Sequence, residues 1–196
     1  MLVYKERHMK ILAFAATSST KSINAQLVKY AASRTGGTDI ETEILNINDY
    51  ELPLYSEDRE TELGHPELAK DFLDKIANSD ALIISFAEHN GSYTVAYKNI
   101  FDWASRINPK VFQNKPMVML ATSPGPGGAS SVLASAVASA PFFDGVVKGS
   151  LSVPSFYENF NVEQGRISND ELNTQLLTVV NNLLDHAAVE IKQAVY

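Results

Sequence analysis

A three-layer α/β sandwich around a five-stranded parallel sheet is the fold this sequence predicts. Two observations carry it. Short apolar runs recur along the chain, and three of them are apolar almost throughout rather than alternating, as in strands buried on both faces of a parallel sheet. Stretches with helical spacing lie between the runs, so the order reads βαβαβαβαβα. That alternation places helices on both sides of a parallel sheet with right-handed crossovers.

The runs are residues 11–15 (ILAFA), Ile40–Leu45 (IETEIL), Ala81–Phe86 (ALIISF), residues 117–121 (MVMLA) and roughly 145–151. IETEIL alternates, which predicts an edge strand. Ile23, Leu27, Tyr30 and Ala31 share one face of the first helix. Leu68, Phe72, Leu73 and Ile76 share a face of the second, entered through His65-Pro66-Glu67 with proline in the first turn. Ile100, Phe101, Ala104 and Ile107 mark the third, and an alanine-rich segment over residues 130–140 the fourth. For the last helix, Ser168 and Glu171 read as a capping box, followed by a stripe of Leu172, Leu176, Val179, Leu183, Ala187 and Ile191. Two long loops interrupt the pattern, residues 49–64 and 155–167. Both carry aromatic residues, and both are candidates for lids or interface elements.

The chain has 196 residues, enough for one full core. We expect a single domain over residues 10–196, preceded by an N-terminal extension over 1–9, since Met9-Lys10 resembles a start. No apolar run approaches the roughly 18 residues a membrane span needs, and residues 1–9 lack the apolar centre of a secretory signal. There is no cysteine, which excludes a disulfide scaffold, a thiol nucleophile and a thiolate metal site, and fits a cytoplasmic location. A net charge of −7 argues against nucleic acid as a partner, and no membrane partner is expected. His8, His65, His89 and His186 show no metal-ligand spacing, so no metal site is expected, and no GxSxG elbow supports a hydrolase.

In an open α/β sheet, ligands bind beyond the carboxyl ends of the strands where strand order reverses. With order 2-1-3-4-5, the loops after strands one and three flank that crevice. After strand one comes ATSSTKSIN, rich in hydroxyls and opening a helix. Free N–H groups at a helix start, with hydroxyls beside them, suit a phosphate. The same hydroxyls equally suit plain helix capping. Neither GxxxxGK[ST] nor GxGxxG is present, which argues against a nucleoside triphosphate and a dinucleotide fingerprint. After strand three comes AEHNGSY, whose Asn90-Gly91 permits a tight turn with amides facing a flat ring, or simply a connector. Glu88 and His89 are candidate proton donors or pocket-shaping groups, and Asp102 a local helix partner. After strand four comes the rigid loop TSPGPGGASS. Three such loops at one end of a sheet favour a planar ligand that carries a phosphate.

These stretches resemble the NADPH-dependent FMN reductase family of flavodoxin-like proteins, which includes azoreductases, quinone reductases and chromate reductases. The similarity runs over about residues 10–150. The family's G-S-x-R-x-x-S-x-N is met by Thr17, Ser22 and Asn24, with Ser19 in place of the arginine. LPLYSED at 52–58 is similar to L-P-x-Y-x-E-D. P-E-Y-N-x-S-x-P-x-x-L-K-N-x-x-D-W is met by Glu88, Asn90, Gly91, Ser92, Lys98, Asn99, Asp102 and Trp103, with Ala87, His89 and Thr94 as departures. S-P-G-x-x-G-G is met by Ser123, Pro124, Gly125, Gly127 and Gly128. The resemblance implies a flavodoxin-like three-layer α/β/α sandwich. It implies FMN held through Thr17, Ser19, Ser22, Ile23 and Asn24 at the phosphate, and through Ala87, Glu88, His89, Asn90, Gly91, Ser123, Pro124, Gly125, Gly127 and Gly128 at the ring. NADPH or NADH would be the electron donor, and a quinone, azo compound, metal oxyanion or free flavin the acceptor. No protein residue is expected as a catalytic group, since the flavin carries the chemistry. The resemblance also implies a homodimer or homotetramer, with Tyr93, Tyr97, Trp103 and Phe156 as interface candidates. The alternatives are a flavodoxin-like FMN electron carrier with no NAD(P)H oxidation of its own, and a flavin-free binding domain.

Overall fold

The structure, a computed structural model, describes residues 8–194, with side chains up to residue 189. Residues 1–7 of the expected extension and the Ile191 side chain of the expected stripe lie outside the described residues. Met9 does not belong to an extension: it opens the first strand, β1 (Met9–Ala16), pairs with Ile40 and is buried.

Five parallel strands form the sheet: β1, β2 (Ile40–Leu45), β3 (Ala81–Phe86), β4 (Pro116–Thr122) and β5 (Val146–Val153), in the order β2-β1-β3-β4-β5. This is the expected order, with β2 at an edge. β3 and β4 are buried at every position, as their unbroken apolar runs require. Alternation along β1 divides the core in two. Leu12, Phe14 and Ala16 face the cluster with Phe72, Ile76, Tyr97, Ile100 and Val132, while Ile11, Ala13 and Ala15 face Leu27, Ala31, Leu176 and Leu183. The helices α1 (Ile23–Ser33) and α7 (Asp170–Ala194) cover the second face, and α3 (Glu67–Ala77), α4 (Val95–Ile107) and α5 (Ser130–Ser139) the first.

Several boundaries differ from expectation. α7 is capped by Asn169, whose Oδ1 accepts the Leu172 N–H at 3.1 Å, so the Ser168/Glu171 box is displaced by one residue. Asparagine, itself a strong N-cap former, takes the place of serine there. Pro66 precedes α3 as its cap position rather than lying in its first turn. The loop at 49–64 contains α2 (Glu57–Leu63), capped by Ser56, and begins within a 3-10 turn at Ile47–Tyr50. The loop at 155–167 contains α6 (Phe156–Asn159) and a two-residue antiparallel pair, β6 (Phe160–Asn161) with β7 (Arg166–Ile167). β5 extends to Val153 and carries a bulge opposite Met117/Val118 at Lys148.

Candidate functional site

The first loop lies between β1 and α1. Ser22 is the N-cap of α1, its Oγ accepting the Ala25 N–H at 3.1 Å. Thr17 is buried, and its Oγ1 accepts the Ser19 N–H at 3.2 Å. Both hydroxyls act as acceptors here, which leaves each O–H free to donate outward. Ser18, Ser19, Thr20 and Lys21 are exposed at the mouth, and Ile23 is half-buried. Asn24 turns the other way. It is buried, its Nδ2 donates to the Thr122 carbonyl at 3.0 Å, and its Oδ1 accepts from Thr122 N–H at 3.0 Å and Ser85 Oγ at 2.8 Å. Its side chain therefore pins the first turn of α1 to β3 and β4. The buried side-chain amide thus finds its partners on the two neighbouring strands, and only the backbone N–H of Asn24 is left toward the mouth of α1.

The second loop follows β3. His89 N–H donates to the Ser92 carbonyl at 2.9 Å and Ser92 N–H to the His89 carbonyl at 3.1 Å, closing a four-residue turn. Its central residues, Asn90 and Gly91, have φ of 52° and 77°, the left-handed values that a type I′ turn demands. His89, Asn90 and Gly91 are exposed, and Ala87 and Glu88 half-buried. Thr94 caps α4, and its Oγ1 also donates to the Ala16 carbonyl at 2.8 Å. The family's proline at this position could place neither contact, so the departure substitutes one way of fixing the loop for another. Glu88 does not point to open space: its Oε2 accepts the Val132 N–H in the first turn of α5 at 2.9 Å. That engagement argues against a proton donor and for a shaping role.

The third loop, between β4 and α5, carries Ser123, Pro124, Gly125, Gly127 and Gly128. Gly125 and Gly127 have nothing within 4 Å of where a Cβ would stand, so the backbone is open on that side. Gly128 is the opposite case. It has φ of 58°, and a Cβ there would collide with Ser152 Oγ and meet Pro154 N at 3.0 Å. Ser155 N–H donates to the Gly125 carbonyl at 2.9 Å and Phe156 N–H to that of Ser123 at 3.1 Å, bracing the loop from below.

All three loops thus stand at the carboxyl end of the sheet, joined through Asn24, Thr94 and Glu88. The fit to FMN is a donor-rich helix mouth for phosphate and exposed backbone for a ring. A cavity of about 450 Å³ adjoins the first of them at Ser18 and runs along the start of α4, lined also by Ile47, Leu52, Val95, Ala96 and Asn99. A second, of about 420 Å³, lies away from the loops beside the start of β1, among Lys10, Glu43, Asp71 and Lys75. Among the described residues, no group of three His, Cys, Asp or Glu is placed to hold a metal ion.

The LPLYSED stretch proves to be clasped onto α4. Asn99 Nδ2 donates to the carbonyls of Leu52 and Pro53 at 3.0 and 3.2 Å, and its Oδ1 accepts the Tyr55 N–H at 2.8 Å. Trp103 Nε1 donates to the Pro53 carbonyl at 2.8 Å, and its ring meets Tyr55 edge-on at 5.2 Å. Glu60 accepts from Tyr55 Oη at 3.0 Å and Arg106 Nε at 2.9 Å, with His65 at 3.4 Å. Partial burial works against its ionisation, yet these donors together hold its carboxyl below the usual value. The sequence marked Asn99 as a motif residue and Trp103 as an interface candidate, and missed Glu60 and Arg106 altogether; only the i, i+4 spacing of Asn99 and Trp103 signalled a shared face. Asp102 pairs with Lys98 at 2.6 Å, the local helix contact expected. Three of the four interface candidates are core residues of this chain. Trp103 and Phe156 are 0 % exposed and Tyr97 4 %, with burial pushing the Tyr97 hydroxyl well above its usual pKa; Tyr93 is half-buried.

The model of the NADPH-dependent FMN reductase family matches residues 9–158, and so covers β1 through α6 and every loop of the crevice. The chain belongs to that family. It is 34 % identical over 118 residues to a 2-hydroxy-1,4-benzoquinone reductase from a Burkholderia species, covering 60 % of this chain and 62 % of the relative. To an NADPH:quinone oxidoreductase of Arabidopsis thaliana it is 29 % identical over 123 residues, covering 63 % and 62 %. The matched segments thus span about three fifths of the length of these curated relatives. The structure is similar to that of FerB, a flavoenzyme NAD(P)H:(acceptor) oxidoreductase from Paracoccus denitrificans. The TM-score is 0.73 at 25 % identity, over 92 % of this chain and 97 % of that one.

Proposed function

We propose that this chain is an FMN-dependent NAD(P)H oxidoreductase with a small-molecule acceptor, a quinone first and an azo compound, metal oxyanion or free flavin as alternatives. The observation that supports it most is the convergence of three loops, each carrying a family motif, on one end of the sheet. The first N–H groups of α1 and the hydroxyls of Thr17, Ser19 and Ser22 would hold the phosphate. Amides around Ala87 to Gly91, and the open backbone at Gly125 and Gly127, would lie against the ring and favour negative charge on it. FMN held there would supply the redox chemistry between a reduced nicotinamide and the acceptor. The Asn24 side chain holds the mouth of α1 against β3 and β4, which leaves its backbone N–H, with that of Ile23, to face the phosphate. The cavity beside Val95 and Leu52 has the mixed lining that a flat, mostly apolar acceptor requires.

A homo-oligomer belongs to the same reading. Leu54 and Val95, 59 % and 67 % exposed, stand at that cavity and would be covered by a second copy. A cytoplasmic location fits the reduced nicotinamide; no helix among the described residues is long and apolar enough to cross a membrane.

The test is a visible spectrum of the purified protein followed by anaerobic mixing with NADPH and NADH. Flavin bands that bleach rapidly with either donor support the oxidoreductase. Flavin that bleaches only when a partner reductase is added identifies an electron carrier instead. A protein that takes up no FMN removes both.

A further inference from the structure

We propose that Glu88 is a positioning residue that fixes the separation of the β3–α4 and β4–α5 loops, so that a flat ring meets a slot already formed. The inference rests on the FMN reading for its consequence, but the tie between the loops stands independently of it. Each loop is closed by hydrogen bonds of its own. The first is closed by the reciprocal His89–Ser92 bonds, and the second by Gly128 N–H to the Gly125 carbonyl at 3.3 Å and Ser130 N–H to the Gly127 carbonyl at 3.0 Å. Beyond the last strand pair, Phe86 with Ala121, the backbone ladder no longer sets their distance. Glu88 bridges that gap, reaching a residue 44 positions on.

The geometry at the receiving end explains why a foreign side chain does this. α5 begins after Ala129, which has φ of 58° and no side chain able to cap. Its third N–H, on Val132, would otherwise be an orphan donor beside a fully buried side chain. A carboxylate on the opposite loop satisfies that N–H, favours the positive end of the helix, and binds the two walls of the crevice to each other. Holding the walls apart before a ligand arrives removes the ordering cost that a loose pair of loops would impose. The side chain's length matters as much as its charge. Aspartate keeps the charge but falls one methylene short, while glutamine keeps the reach and the acceptor oxygen.

Three variants separate these possibilities: Glu88→Ala, Glu88→Asp and Glu88→Gln. Amide hydrogen exchange is followed without FMN over residues 87–93 and 130–133, and FMN dissociation constants are measured by fluorescence. The expected result is exchange at least about tenfold faster in both segments for the alanine and aspartate variants. FMN binding weakens about tenfold in the same two, and the glutamine variant stays within about threefold of wild type in both measurements. Unchanged exchange in Glu88→Ala, or exchange confined to one segment, overturns the tie. Faster exchange with unaltered FMN affinity overturns the positioning role. Aspartate behaving like wild type while glutamine behaves like alanine overturns the bridge in favour of charge alone. If the wild-type protein binds no FMN, the proposed function fails, and the exchange data still decide whether Glu88 couples the loops.

Discussion

Ser19 shows how a single departure from a motif can be read physically. The family pattern carries arginine where this chain has an exposed serine whose backbone is already engaged, its N–H on Thr17 and its carbonyl accepting from Ser22. A longer side chain there has solvent to extend into and disturbs no buried contact. Ser19→Arg should therefore tighten FMN by at least about tenfold, since a guanidinium on phosphate contributes about 1.5–3 kcal/mol. Fluorescence titration checks it, and unchanged affinity would place the phosphate elsewhere. Gly128 is the reverse case, a position where nothing larger fits. Gly128→Ala combines a left-handed φ with a Cβ driven into Ser152 Oγ, which itself donates to the Gly128 carbonyl at 2.8 Å. A loss of about 1–3 kcal/mol in urea unfolding is expected. The sequence showed that both residues mattered but not why. It marked Asn24 from its place in a motif, but the side-chain partners Ser85 and Thr122 lie 61 and 98 residues away and leave no local mark. Glu88 was marked for the same reason, and its bond to Val132 was invisible.

The clasp between α4 and the LPLYSED stretch accounts for two motifs at once. Asn99 and Trp103, four residues apart on one face, both donate to the backbone of the same loop, and Arg106 continues the row to Glu60. Asn99→Ala removes bonds to Leu52, Pro53 and Tyr55 together and leaves the Tyr55 N–H without its acceptor. We expect faster limited proteolysis within residues 50–60 and a stability loss of about 1–3 kcal/mol. The Glu60 end adds a pH dependence whose sign is fixed. Because its carboxyl is held below the ordinary 4.5, its contribution is present above that value and fades as pH falls through the lowered one. Wild type should therefore exceed Glu60→Gln in urea midpoint at pH 6–7, with the difference closing in acid; a constant difference would show that charge at Glu60 plays no part. At this scale the sequence was readable wherever one periodicity held. The unbroken β3 and β4 runs and the alternating β2 placed the sheet, while α2 and the β6–β7 pair escaped because seven and two residues are too few to establish a period.

For the molecule as a whole, the crevice is the point where three separate strands end and their loops meet, so a ligand there couples parts of the chain far apart in sequence. The unfolded chain has no such arrangement and should bind no flavin. Free energy of binding then becomes free energy of folding, about 2.7 kcal/mol at a ligand concentration one hundred times the dissociation constant. For a chain of this size each kcal/mol moves the melting temperature by about 2–4 °C, so saturating FMN should raise it by about 5–11 °C. Riboflavin carries the same ring without the phosphate. If the hydroxyl-lined mouth of α1 holds the phosphate, riboflavin at the same concentration should raise the melting temperature by less than half as much. Equal shifts would transfer the affinity to the two ring-facing loops and leave Thr17, Ser19 and Ser22 as helix-capping residues alone. A shift with neither would mean that the convergence of the loops serves some other ligand, because a preformed flavin site cannot bind without stabilising the fold that forms it.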